Sequence, residues 1–249
     1  MGWQWFHRLG SPRWFYQKTE AWVRWLGWLA FLIIAGTIFW VMAFVPKDYL
    51  QGHSFRIFYL HVPTSMMAMG GYYAMAISGA IGLIWRMKLA DMSMRCIAPM
   101  GAAFTFLALV TGGLWGKPTW GTYWVWDGRT TSTLILFFLY MGVVALQNAY
   151  QNQQMADRFS ALLALVGMVN IPIIKWSVDW WNTLHQPATI KLTEESTMHG
   201  SMLYPLFVMM VGFYCFFAWA LIKAIRIEIL RREYRTDWVK QIIAAENKS

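Results

Sequence analysis

Charge is scarce in this chain. Asp, Glu, Lys and Arg make up 13% of its 249 residues and 58% are hydrophobic, whereas a soluble domain devotes about a quarter of its residues to charge. That excludes an ordinary water-soluble fold. Cysteine is scarcer: Cys96 and Cys215 are the only two, each in or at the edge of an apolar run, and no C-x-x-C is present. A disulfide framework and a dithiol redox centre are thereby excluded. The sequence also lacks a phosphate-binding P-loop, a paired nucleophile and base, an internal repeat and a low-complexity tract, so nothing in it points to an enzyme. The first 24 residues are polar and aromatic, and the apolar run that follows has no A-x-A-like end, so the start reads as a tail and not as a cleaved signal.

Aromatic residues are abundant instead, with 17 Trp, 16 Phe and 11 Tyr. Amphipathic rings collect at the two surfaces of a bilayer. A bilayer core requires about 20 apolar residues of helix, and six windows free of Asp, Glu, Lys and Arg meet or approach that: 25–46, 57–85, 96–116, 130–156, 159–174 and 196–222. The sequence predicts an all-α integral membrane protein of one six-span domain. Six crossings put both termini on one side. Fifteen of the 21 Lys and Arg fall on that side, against six on the other: Lys47, Arg56, Lys117, Arg129, Lys175 and Lys191. By the positive-inside rule the termini, tails 1–24 and 226–249, are cytoplasmic, and the loops 115–130 and 175–198 lie outside. The formal charge of +9 therefore sets topology; the cations form no stripe for nucleic acid. Gly70, Gly71, Gly79, Gly82, Gly101, Gly112 and Gly113 are expected to let helix backbones approach closely. Pro63, Pro172 and Pro205, near the outer span ends, are expected to bend or stop helices there.

The outward loops carry the unusual residues. YLHVP places His61 about one turn into the second span, and WNTLHQ places His185 in the last outer loop. A lone histidine near a helix end is as a rule a packed structural residue. Two at one membrane level suit the axial coordination of an iron porphyrin, because neutral imidazole is a common iron ligand. His53 and His199 also fall outside, in less aromatic surroundings. Between spans three and four runs WGKPTWGTYWVWDGR, 115–129. A belt of interfacial tryptophans needs neither glycine nor a fixed acid, yet here Gly116 and Gly121 offer turns and Asp127 lies two residues from Arg129, close enough in sequence to pair. Trp120, Trp124 and Trp126 would then form a platform for a large planar ligand. Arg56 and Arg129 suit carboxylates, Lys117 less so. Asp179 could orient an imidazole.

The tryptophan stretch resembles the WWD signature of the haem-handling membrane proteins of cytochrome c maturation. With six spans and flanking histidines, the chain is similar to their CcmC family. The resemblance implies that His61 and His185 are axial ligands of haem b, that Trp115, Gly116, Trp120, Trp124, Trp126 and Asp127 hold the ring, and that Arg129 and Arg56 help retain it. It implies a carrier, not an enzyme, in the bacterial inner membrane, which offers haem at the periplasmic face to the chaperone CcmE. CcmD and the ATP-binding cassette subunits CcmA and CcmB are its implied partners. No C-x-x-C-H is present, so this chain does not bond haem covalently by that motif. Two other readings fit the residues: a di-histidine electron-transfer subunit, and a transporter or lipid-linked glycan protein using the tryptophans as a platform.

Overall fold

The computed structural model describes residues 10–181, 183–185 and 198–246; Arg8, Lys191 and Lys248 of the charge tally, and parts of the predicted tails and last outer loop, lie outside them. Among the described residues there is no strand. In chain order the helices are α1 (Pro12–Lys18), α2 (Glu20–Ala43), α3 (Phe58–Trp85), α4 (Lys88–Trp120), α5 (Gly128–Ala149), α6 (Gln153–Gly167), α7 (Asn170–Trp180), α8 (Gly200–Arg232) and α9 (Asp237–Glu246), with a 3₁₀ turn at His53–Ile57 before α3. Six helical stretches are long and apolar enough to cross a membrane: α2, the 3₁₀ turn with α3, α4, α5, α6 with α7, and α8.

Helix ends follow capping chemistry more than hydrophobicity. The third crossing, α4, begins at Lys88 and runs on into the predicted loop as far as Trp120, where Gly121 closes it in a left-handed conformation (φ 78°), one that glycine adopts at little cost. The predicted fourth window reaches 156, but α5 stops at Ala149. Asn152 starts the next helix by accepting from the Gln154 and Met155 N–H groups at 2.9 and 3.3 Å. The fifth crossing breaks at Met168–Val169, where the N–H groups turn to Leu165 and Val166 carbonyls. Pro172, just beyond, has no N–H to offer Met168. Pro63 and Pro205 are instead absorbed, buried, inside α3 and α8.

Small residues bring the helices together, as expected in a bilayer. A Cβ on Gly79 of α3 would lie 3.0 Å from the Ala161 Cβ and 3.1 Å from its Cα on α6, so the two backbones touch. The main core, including Met67, Tyr72, Met75, Met94, Leu136, Tyr140 and Val143, draws on α3, α4, α5, α6, α7 and α8. Two polar groups in and beside it are partnered, the Tyr140 hydroxyl donating to the Ala68 carbonyl and the Asn170 amide to the Ser132 carbonyl, both at 2.8 Å, whereas the Tyr72 hydroxyl is buried with no partner among the described residues. A second cluster with Val41, Phe55, Phe58, Tyr59 and Leu206 packs beside the start of α3. A third, with Tyr16, Met92, Ile225 and Ile229, packs at the other end of the bundle. There Glu228 accepts from Arg231 and Arg232 at 2.7 and 2.6 Å, and Arg232 reaches Asp157 at 2.7 Å, tying α8 to α6.

Candidate functional site

His61 lies in the first turn of α3 and faces α4. Its Nδ1 is 3.1 Å from the Ala108 carbonyl oxygen and 3.1 Å from Thr111 Oγ1. A carbonyl only accepts, so Nδ1 carries the ring proton. The Thr111 hydroxyl donates its own proton to the Leu107 carbonyl at 2.6 Å, which leaves its oxygen to accept from His61 as well. Nε2 thus keeps its lone pair, and no described group donates to it. Gly112 on α4 leaves room for the ring: a Cβ there would come 3.0 Å from His61 Cε1. Trp115, one turn further, meets the imidazole edge-on at 5.7 Å and 60°. Its own ring is fixed by Phe58 at 5.7 Å and by an Nε1 bond to Gln51 Oε1 of 2.6 Å.

His185 is anchored in the same way by a carboxylate. Its Nδ1 lies 2.9 Å from Asp127 Oδ2, which again puts the proton on Nδ1 and leaves the Nε2 lone pair open. Asp127 is 8% exposed and has two other tasks. Its Oδ1 accepts the Thr130 N–H at 2.7 Å, capping α5, and its Oδ2 accepts a short bond from the Thr183 hydroxyl. Burial alone would raise the Asp127 pKa; the bonds from Thr183, Thr130 and His185 outweigh it and bring the value down to about 2. For His185 burial dominates and lowers the pKa despite Asp127, so the ring is neutral at pH 7 and able to donate its lone pair. Trp120 packs against it with centroids 4.7 Å apart. Gly116 makes room for that indole, since a Cβ there would come 2.8 Å from Trp120 Cε3.

The two imidazoles belong to one group. Both rings pack on the last turns of α4, His61 on Trp115 and His185 on Trp120, and the charge of Arg129 adds to burial in lowering the His185 pKa. Arg129 donates from Nη2 to the Lys175 carbonyl at 3.3 Å, while its Nε is buried with no described partner. The Asp127–Arg129 pair expected from the sequence does not form; residues two apart at a helix start do not face each other, and Asp127 turns to His185 instead. Asp179, considered as an orienting group, is exposed. The orienting carboxylate is Asp127.

The remaining sequence-predicted residues are distributed unevenly. Trp115, Gly116 and Trp120 belong to α4 and not to a loop. Trp124 and Trp126 stack edge-to-face at 5.3 Å, Trp126 being 76% exposed and Trp124 Nε1 buried without an acceptor among the described residues. Arg56 donates to the Val45 carbonyl at 3.3 Å and lines a separate apolar cavity of about 150 Å³ with Val41, Tyr59 and Met209. Lys117 folds back onto the Gly121 carbonyl at 2.9 Å, and His199 caps α8; both are structural. Thr111 and Thr183 escaped the sequence reading, and Gly112 entered it only as a helix-packing glycine, although Thr111 and Gly112 sit one turn before Trp115 on the same helix.

Among the described residues no three His, Cys, Asp or Glu converge to hold a metal ion. What the site offers is two imidazole Nε2 lone pairs, a set that suits a metal already ringed by other donors.

Comparison with known proteins agrees over nearly the whole length. The model of the family CcmC, Heme exporter protein C, matches residues 5–240. The Heme exporter protein C of Haemophilus influenzae is 42% identical over 240 residues, covering 96% of this chain and 98% of its own. That of Escherichia coli is 44% identical over 241 residues, 97% of each chain. A Marchantia polymorpha protein whose name describes it as a ccmC-like mitochondrial protein of cytochrome c biosynthesis is 46% identical over 169 residues, 68% of this chain and 71% of its own.

Proposed function

We propose, for a chain that belongs to the CcmC family of Heme exporter protein C, that it carries haem b for cytochrome c maturation, with His61 and His185 as the axial ligands. One observation bears most of the weight: each ring has its Nδ1 proton held by a fixed acceptor, Ala108 on one side and Asp127 on the other, so each presents Nε2. Holding the far nitrogen this way is how proteins orient a metal-binding histidine and make it a better donor.

The fit extends to the ring. A porphyrin supplies four nitrogens of its own, so two imidazoles complete the coordination without a third protein ligand. Trp120 and Trp115, packed on His185 and His61, are placed to border the ring, and Trp124 and Trp126 to extend that surface. Arg129, its Nε unpartnered, supplies a cation for one propionate; Arg56 would have to leave the Val45 carbonyl and its separate cavity to reach the other. Haem carries the reactivity; the protein positions it and keeps water away. The 15-to-6 distribution of basic residues supports an outward-facing site at the periplasmic surface of the inner membrane; transfer there to CcmE, in an assembly with CcmD, CcmA and CcmB, is part of the proposal. The chain acts there as a presenting subunit with no chemistry of its own.

The test is spectroscopic. Purified protein from haem-replete cells should show a six-coordinate Soret band. His61→Ala and His185→Ala should each convert it to a five-coordinate form with roughly 10-fold or greater loss of retained haem, and added imidazole should restore much of it. Variants that keep the wild-type spectrum would remove both ligand assignments.

A further inference from the structure

A cavity of about 1210 Å³ opens at the end of the bundle opposite His61, between the ends of α3, α4, α6 and α8. Gly82 on its wall is about 32 Å from His61 along α3, at 1.5 Å per residue. The two regions are not connected through the interior: Tyr72, Met75 and Tyr140, each 0% exposed, fill the core between them. The cavity is therefore a separate space from the one proposed to hold haem.

Its lining carries five cations and three acids, and most of these are already committed. Arg232 is bonded to Asp157 and Glu228, Arg231 to Glu228, and Lys88 lies 3.7 Å from Glu233. Arg86 and Arg158 are left, both exposed and neither in an ion pair among the described residues. Arg86 is unusual in its backbone as well. It ends α3 at φ 53°, ψ 39°, and no other non-glycine residue among those described has a positive φ. Glycine is the usual choice there, and a residue that breaks a local rule at a cavity wall marks a place where the side chain matters. Beside it α4 starts without a side-chain cap, and its positive end is shared between this space and Asp91 of its own first turn. Leu162 and Met155, 45% and 46% exposed, continue the wall as an apolar surface.

We propose that this cavity binds a phosphate-bearing anion, held by Arg86 and Arg158. Cations beside an apolar wall at the end of a spanning bundle match an anionic phospholipid headgroup; a free phosphate compound offers the same chemistry.

Thermal unfolding of the delipidated full-length chain in non-ionic detergent decides the matter. Phosphatidylglycerol, phosphatidylcholine and inorganic phosphate at constant ionic strength are the three additions. Saturating ligand should raise Tm by roughly 5–10 °C. A rise with phosphatidylglycerol alone identifies a lipid, and a saturable rise with phosphate identifies a soluble anion. Arg86→Gly, which relieves the left-handed backbone, should unfold no earlier than wild type without ligand yet lose at least half of the ligand-induced rise. Arg158→Gln, an exposed change that leaves α3 untouched, should lose a similar share, and the double variant all of it. A rise that survives in the double variant, an equal rise with phosphatidylcholine, or no rise with any addition would overturn the proposal.

Discussion

Asp127→Asn separates the two jobs of one carboxylate. Asn caps a helix about as well as Asp, so with its amide oxygen on the Thr130 N–H the start of α5 survives. The other atom of the amide then becomes an NH₂ where Asp127 Oδ2 now accepts from His185. Facing a donor, Nδ1 has to accept, the ring proton moves to Nε2, and the lone pair proposed for iron is gone. Flipping the amide returns an acceptor to His185 but points NH₂ at the Thr130 N–H and gives up the cap, at about 1 kcal/mol. Either way the site loses. Disturbing such an orienting contact typically weakens metal binding 10–100-fold, about 1.4–2.7 kcal/mol. Haem titration followed by absorbance should show that loss together with a shift toward five-coordinate iron. Unfolding of the haem-free protein should move less than in Asp127→Ala, because the cap on α5 survives and only the charge that Thr183, Thr130 and His185 stabilise is lost. Asp127→Ala should show both losses, the cap and the haem. Equal haem affinity in wild type and Asp127→Asn would refute the reasoning, because no other described group holds the His185 side chain so closely.

Two further outcomes follow from the same geometry. Gly112→Ala puts a methyl 3.0 Å from His61 Cε1 and should weaken haem retention several-fold, while the helix itself gains up to about 1 kcal/mol in propensity; a variant both less stable and unaltered in haem binding would contradict the packing described. Acid should act through Asp127 in the haem-free chain. Its folded pKa of about 2 lies below the ordinary 3.8, so unfolded chains take up the proton first. The stabilisation is complete above roughly pH 4 and is lost as pH falls toward 2. The stability gap between wild type and Asp127→Ala should therefore narrow across that window, as chemical denaturation at each pH can show.

Much of the architecture was legible because lipid imposes long uncharged runs: the helices that cross correspond one for one to the six windows. Their ends were less legible. Charged residues from Lys88 to Arg95 and Lys117 are helical, since a helix continues past the bilayer wherever its backbone is capped or packed. Spacing and charge alone suggested treating His61 and His185 as one group. Their anchoring was not legible. Asp127 and His185 are far apart in the chain, and the nearby Arg129 looked the better partner for Asp127 until the helix start pointed the two side chains apart. The signal for His61 was fainter still, a backbone carbonyl, Ala108, and a threonine on the neighbouring helix.

The two rings are mounted differently. His61 stands within a continuous helix, walled by Ala108, Thr111, Gly112 and Trp115 of its neighbour, like a post set in masonry. His185 hangs from the carboxylate that also begins α5, like a gate on a single hinge pin. A small rotation at the head of α5 swings the gate and leaves the post where it was, so the proposed clasp would loosen first on the His185 side.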